Sequence, residues 1–257
     1  MRLPSFGFLL VAVLGSSLFG QDLPKLSPLP VAVPTTEVTA NPEVPFDEAV
    51  KAAAEKRWEK EINAIEARDK LNPDPEDGIL FIGSSSIRLW ETIAEDIAPY
   101  LPIQRGYGGS NFSNVAVFAK RLIEPHQYKA MVVFVANDVT GRETDKTPEE
   151  VIELMDYVIE VSRKHQPDAP VFVIEITPTA SRWKTWSEIR QVNAAIREYC
   201  LTTPNVHFIP TAEYYLDAEG NPIPESFRSD KLHLTRSGYK LWGRLIKQRL
   251  DDFLPTN

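Results

Sequence analysis

The chain has 257 residues, 43% of them hydrophobic, a formal charge of −8 and a single cysteine, Cys200. This length and apolar content suit one α/β domain with short appendages, and the acidic balance repels polyanions, so no nucleic acid partner is expected. One cysteine permits neither an internal disulfide nor a cysteine-rich metal site. In the helical pattern ending Arg197-Glu198-Tyr199-Cys200 it reads as a buried, inert thiol.

The N-terminal elements are the appendages. Arg2, an apolar stretch from Phe6 to Leu14 and the small residues Gly15, Ser16 and Ser17 make an export-signal pattern, expected over 1–20. The stretch falls short of the roughly 20 apolar residues that span a bilayer, so cleavage is expected rather than a stable membrane anchor. Six prolines from Pro24 to Pro45 predict an extended Pro-rich linker over 21–45. In the segment 46–75, Val50, Ala54, Trp58, Ile62 and Ile65 recur at three- and four-residue steps, predicting a helix that Asn72-Pro73-Asp74-Pro75 ends. It is expected to pack on the domain surface, with oligomerisation as its sharper alternative.

From 76 to 257 strands and helices alternate. Apolar runs at Ile79–Ile82, Pro102–Gln104, Ala130–Val135, Val171–Ile176 and Val206–Ile209 are separated by helical patterns at Ile87–Ala98, Asn111–Ile123, Pro148–Lys164 and Ser187–Cys200, with Thr235–Leu254 last. Continuous apolar strands between helices predict a three-layer α/β/α sandwich with a five-stranded parallel sheet, flavodoxin-like in its layering. Functional residues of such sheets gather beyond the carboxyl ends of the strands. There stand Ser84-Ser85-Ser86, then Gly106 to Ser110, then Asn137-Asp138.

A serine hydroxyl is a weak nucleophile that needs a base and a field favouring an oxyanion. Spacing alone leaves Ser84, Ser85 and Ser86 equivalent, and a serine-rich turn can simply cap a helix. Asp230 and His233, three apart in the loop before a helix capped by Thr235, can form a carboxylate–imidazole pair with Nε2 turned to a serine. Alone, such a histidine reads as a surface residue, Gly108-Gly109 as a turn and Asn137 as a strand terminator. His126, His165 and His207 do not pair at ligand spacing, so no metal is expected. Trp183 and Trp186 would share a helix face, with core packing favoured over a stacking platform for sugar or acyl groups.

Phe81-Ile82-Gly83-Ser84-Ser85-Ser86-Ile87-Arg88-Leu89-Trp90, Arg105-Gly106-Tyr107-Gly108-Gly109-Ser110, Asn137-Asp138 and Asp230 to His233 resemble the successive blocks of the GDSL/SGNH hydrolase family. Arg182-Trp183-Lys184-Thr185-Trp186 is similar to a segment of a bacterial branch with a serine-rich first block. The resemblance covers about Gly78 to Phe253 and implies the SGNH hydrolase fold. It implies Ser85 as nucleophile, His233 as base and Asp230 as its partner, with Ser85 N–H, Gly109 N–H and the Asn137 amide as oxyanion hole. No cofactor is implied.

Two positions depart from the pattern: Ser84 replaces the usual aspartate, and Val135 the glycine of Gly-x-Asn-Asp. The branched Val135 is expected to narrow the acyl pocket or shift Asn137, as tuning rather than loss. The expected function is an exported, periplasmic or extracellular serine ester hydrolase acting on a small-molecule or glycan ester, with deacetylation of carbohydrate favoured. Lysophospholipid or thioester hydrolysis is the enzymatic alternative, and a carbohydrate-binding module on the same frame the non-enzymatic one.

Overall fold

The structure, a computed structural model, describes residues 44–254. The expected export signal and nearly all of the Pro-rich linker lie outside these residues.

Five short apolar segments form one parallel sheet: β1 (Ile79–Gly83), β2 (Pro102–Gly106), β3 (Ala130–Phe134), β4 (Val171–Ile174) and β5 (Val206–Ile209). Their order is β2-β1-β3-β4-β5, and every pairing is parallel. β1 and β3 are buried at every position, which is why their sequences are apolar without alternation. Helices lie on both sides, giving the three-layer architecture expected. They are α1 (Glu48–Asp69), α2 (Ser85–Arg88), α3 (Ile93–Asp96), α4 (Phe112–Ile123), α5 (Pro148–His165), α6 (Trp186–Thr202) and α7 (Arg236–Phe253). Their starts follow local chemistry: Asn111 and Thr147 cap α4 and α5 in reciprocal boxes with Asn114 and Glu150, and Thr235 caps α7. Among the described residues no helix is long and apolar enough to cross a membrane. Cys200 is buried, which pushes its thiol up to about 12.

The helix expected over Ile87–Ala98 is instead the two single turns α2 and α3. Trp90 leaves the helical path to bury its ring, stacked on Tyr239 at 5.7 Å and tilted against Trp242 at 5.2 Å. The break is satisfied locally, because Trp90 Nε1 and Thr92 Oγ1 both donate to Asp96 Oδ2, at 2.8 and 2.7 Å. Burying a large aromatic face outweighs helix continuity here.

α1 packs on its own domain, burying Ala54, Trp58, Ile62 and Ile65, with α4 among its neighbours. Arg121 of α4 reaches Glu59 at 2.9 Å and Glu66 at 2.6 Å on α1. At its end Asp69 meets Arg105 at 2.5 Å, and beyond it Asp74 meets His126 Nδ1 at 2.8 Å. Arg105 Nε donates to His126 Nε2 at 3.2 Å, so in the neutral ring the proton sits on Nδ1, facing Asp74. His126, which showed no ligand spacing in the sequence, thus closes a polar cluster that staples α1 to β2.

Candidate active site

The register of the sheet brings the first three blocks level. Gly83, at the end of β1, stands opposite Gly106 of β2 and Phe134 of β3. Gly83 has φ +151°, and a Cβ there would lie 1.9 Å from the Phe134 carbonyl oxygen, so only glycine fits. This close approach lets Ser84 N–H donate to the same carbonyl at 3.1 Å. Ser84 is buried as the N-cap of α2, and Ser85 is the first helical residue, whose N–H has no partner within the helix. Ser86 offers its carbonyl to Tyr239 Oη at 2.8 Å, locking the turn to α7.

The loop ahead of α7 supplies the other half. His233 Nε2 lies 2.9 Å from Ser85 Oγ, and His233 Nδ1 lies 2.6 Å from Asp230 Oδ2. Geometry therefore separates three serines that spacing left equivalent. Asp230 Oδ1 also accepts from the backbone N–H of Leu232 at 2.9 Å and of His233 at 3.0 Å. Partial burial works against the Asp230 charge, but the His233 and backbone donors outweigh it and hold the carboxyl down at about 2. With Nδ1–H bound to a carboxylate, Nε2 carries the lone pair that faces the serine.

Asn137 follows β3 and lines the same cleft, as do Thr177, Thr179 and Arg182 from the segment after β4. Its Nδ2 donates to the Ser110 carbonyl at 2.7 Å, and its Oδ1 accepts from Arg182 Nη2. Arg182 Nη1 also donates to the Ala136 carbonyl. Burial pushes the Arg182 guanidinium below its ordinary range, with Asp145 and Asp138 pulling the other way. Asp138 turns from the cleft to accept Phe112 N–H at 3.1 and 3.0 Å, tying this loop to the start of α4.

Gly109, with φ +73°, is not among the residues lining the cleft. It is joined to the cleft through Ser110, the residue that Asn137 grips. Trp58 of α1 donates from Nε1 to the Gly108 carbonyl at 2.8 Å. Because that carbonyl and the Gly109 N–H belong to one planar peptide, fixing one aims the other.

Val135 is buried and outside the cleft lining, and Asn137 keeps its place beside Ser110. This side chain packs into the core beyond the end of β3 and does not itself wall the cleft. Trp183 and Trp186 stack with centroids 6.0 Å apart and planes at 15°. Both are half-buried rather than sealed in the core, and they line a separate groove of about 1200 Å³ with Glu175, Arg190 and Glu213. Trp58 and Arg182 are the site-bracing residues that motif reasoning missed. The only trace of Arg182 was the Arg-Trp-x-x-Trp segment, and Trp58 read simply as one of an apolar stripe. Among the described residues no group of three or more His, Cys, Asp or Glu could hold a metal ion.

A parallel sheet carrying a hydroxyl–imidazole–carboxylate chain and an amide donor at its carboxyl edge defines the acylhydrolase class. The chain belongs to the GDSL-like Lipase/Acylhydrolase family, whose profile matches residues 81–241. It is 27% identical over 210 residues to the platelet-activating factor acetylhydrolase IB subunit alpha2 of Homo sapiens, covering 76% of this chain and 86% of that one. Among solved structures, a GDSL-like lipase from Bacteroides thetaiotaomicron superposes with a TM-score of 0.62 at 18% identity, over 79% of this chain and 100% of the other. A carbohydrate esterase family 3 protein from Talaromyces cellulolyticus gives 0.54 at 17% identity, over 69% and 97%.

Proposed function

We propose that the protein is an exported serine ester hydrolase that removes short acyl groups, acetyl above all, from carbohydrate. The observation that carries this reading is the unbroken chain from Ser85 Oγ through His233 to Asp230. As an ester carbonyl enters, Ser85 Oγ attacks its carbon and His233 Nε2 takes the hydroxyl proton. Asp230 stabilises the imidazolium that forms. Ser85 N–H, Gly109 N–H and Asn137 Nδ2 receive the oxyanion, and each such donor is worth about 3 kcal/mol of barrier. The tetrahedral adduct collapses, the alcohol leaves with the proton from His233, and an acyl-serine remains. Water, deprotonated by the same imidazole, releases the acid and restores the serine.

A short acyl group is favoured by the tightness of the cleft, a cavity of about 20 Å³ walled by Phe134 and Trp242. The names of the relatives point the same way, one an acetylhydrolase and the other a carbohydrate esterase. The half-exposed Trp183–Trp186 pair, set among charged side chains, offers sugar rings an apolar face with polar groups beside it. The export pattern over 1–20 favours a polymer outside the cytoplasm.

The test is turnover on a panel of acyl esters and acetylated glycans, with fluorophosphonate labelling. Ser85→Ala is expected to lose activity by a factor of about 10⁴ or more and to abolish labelling while remaining folded. A folded Ser85→Ala variant with full turnover would remove the assignment. Preference for long acyl chains over acetyl would point instead to lysophospholipid or thioester hydrolysis, and glycan binding without labelling to a binding module.

A further inference from the structure

We infer that Arg182 is a positioning residue for the proposed oxyanion hole, its guanidinium holding the Asn137 amide so that Nδ2 serves the Ser85 cleft. This rests on the ester-hydrolase reading above and extends it to a residue outside the catalytic blocks.

A side-chain amide has two orientations of nearly equal shape, and only one presents an N–H to an oxyanion. In the observed orientation Oδ1 accepts from Arg182 Nη2 and Nδ2 donates to the Ser110 carbonyl. Rotating the amide by half a turn would set its NH₂ against the guanidinium, donor on donor, and its oxygen against the Ser110 carbonyl, acceptor on acceptor. Both contacts become repulsive, so the fork on one side and the carbonyl on the other select a single state. Ser110 uses one Nδ2 hydrogen and leaves the second for a ligand. A cation on Oδ1 also draws electron density from the amide nitrogen, which strengthens that second hydrogen as a donor.

The carboxylates of Asp145 and Asp138 act on Arg182 through charge rather than through hydrogen bonds. The partners that Arg182 grips are neutral oxygens, of Ala136 and Asn137, rather than a carboxylate. Taking a guanidinium out of water for neutral acceptors recovers little of its desolvation cost. The fork geometry matters more than the charge, because two acceptors on successive residues are held at once. The same short segment steadies the base as well: Ser181 N–H donates at 3.1 Å to the carbonyl of Lys231, which lies between Asp230 and His233.

The experiment is a double-mutant cycle read in kcat and KM on an acetyl ester. Asn137→Ala is expected to lower kcat by about 10²–10³. Arg182→Met is expected to lower kcat by about 10–100-fold with KM within about twofold, and to cost less than about twofold once Asn137 is already alanine. If Arg182→Met does not fold, Arg182→Lys replaces it; it keeps the charge, can serve only one acceptor, and is expected to lose about 3–30-fold, again only when Asn137 is present. A kcat within twofold of the parent, or losses that multiply in the double variant, would overturn the inference. Unchanged kcat in Asn137→Ala would overturn it too, by removing the amide from the oxyanion hole. An inactive Ser85→Ala variant would then leave the ester-hydrolase reading standing.

Discussion

The proposed nucleophile, Ser85, and its proposed base, His233, are held by opposite means. Ser85 stands on a turn gripped by the core: Gly83 lies against the Phe134 carbonyl, and a Cβ on Gly106 would come within 2.6 Å of Arg88 N. Ile87 beside it is fully buried, and Tyr239 ties down the Ser86 carbonyl. Asp230 and Lys231, by contrast, are exposed, and their loop is shaped by hydrogen bonds: Arg228 N–H to the His233 carbonyl at 2.7 Å, Lys231 N–H to the Arg228 carbonyl at 2.8 Å, and two N–H groups on Asp230. Packing fixes the nucleophile and hydrogen bonding fixes the base. Damage to the first should therefore appear as lost stability, and damage to the second as lost turnover.

The largest expected effect breaks the base side alone. Asp230→Asn keeps the shape but removes the charge that orients His233, and kcat is expected to fall by about 10³–10⁴ with the melting temperature little changed. Steady-state kinetics beside a thermal melt checks both halves, and a large drop in melting temperature would erase the contrast. On the nucleophile side, Gly83→Ala forces backbone apart and is expected to cost about 3 kcal/mol or more of stability, measured by urea unfolding. A variant as stable as the parent would show that packing does not govern the turn.

The smallest effect sharpens the comparison through pH. The Asp230 carboxyl lies at about 2 when folded against 3.8 ordinarily, so its contribution to stability is complete above about pH 4 and is lost as pH falls towards 2. With 46% of that side chain exposed, solvent screening keeps the contribution below about 1 kcal/mol. Unfolding curves of the parent and Asp230→Asn, collected between pH 5 and 2, are expected to converge in that window. Curves that separate further on acidification would reverse the sign.

What could be read from sequence follows from how local each signal is. β1, β3 and β4 were legible because each is an unbroken apolar run, and the first and third blocks because each follows such a run closely. The split between α2 and α3 was not, since it depends on Trp90 meeting Tyr239 and Trp242 some 150 residues later. Arg182 and Trp58 escaped for a related reason. They act through carbonyl groups and an amide of distant loops, which leave no pattern around either residue. The core placement of Val135 was not legible, because residue type says nothing of which way a side chain turns once its strand has ended.

The bond from Trp58 to Gly108 has a practical corollary for where this enzyme begins. The leading helix shares one compact unit with the sheet, and its indole grips the backbone that carries the proposed Gly109 donor. A truncation starting at Ile79 would look tidy on a family diagram. It would nonetheless strip the apolar cover from α4 and release the glycine loop, so a working form is expected to keep α1 from its Asp47 cap onward.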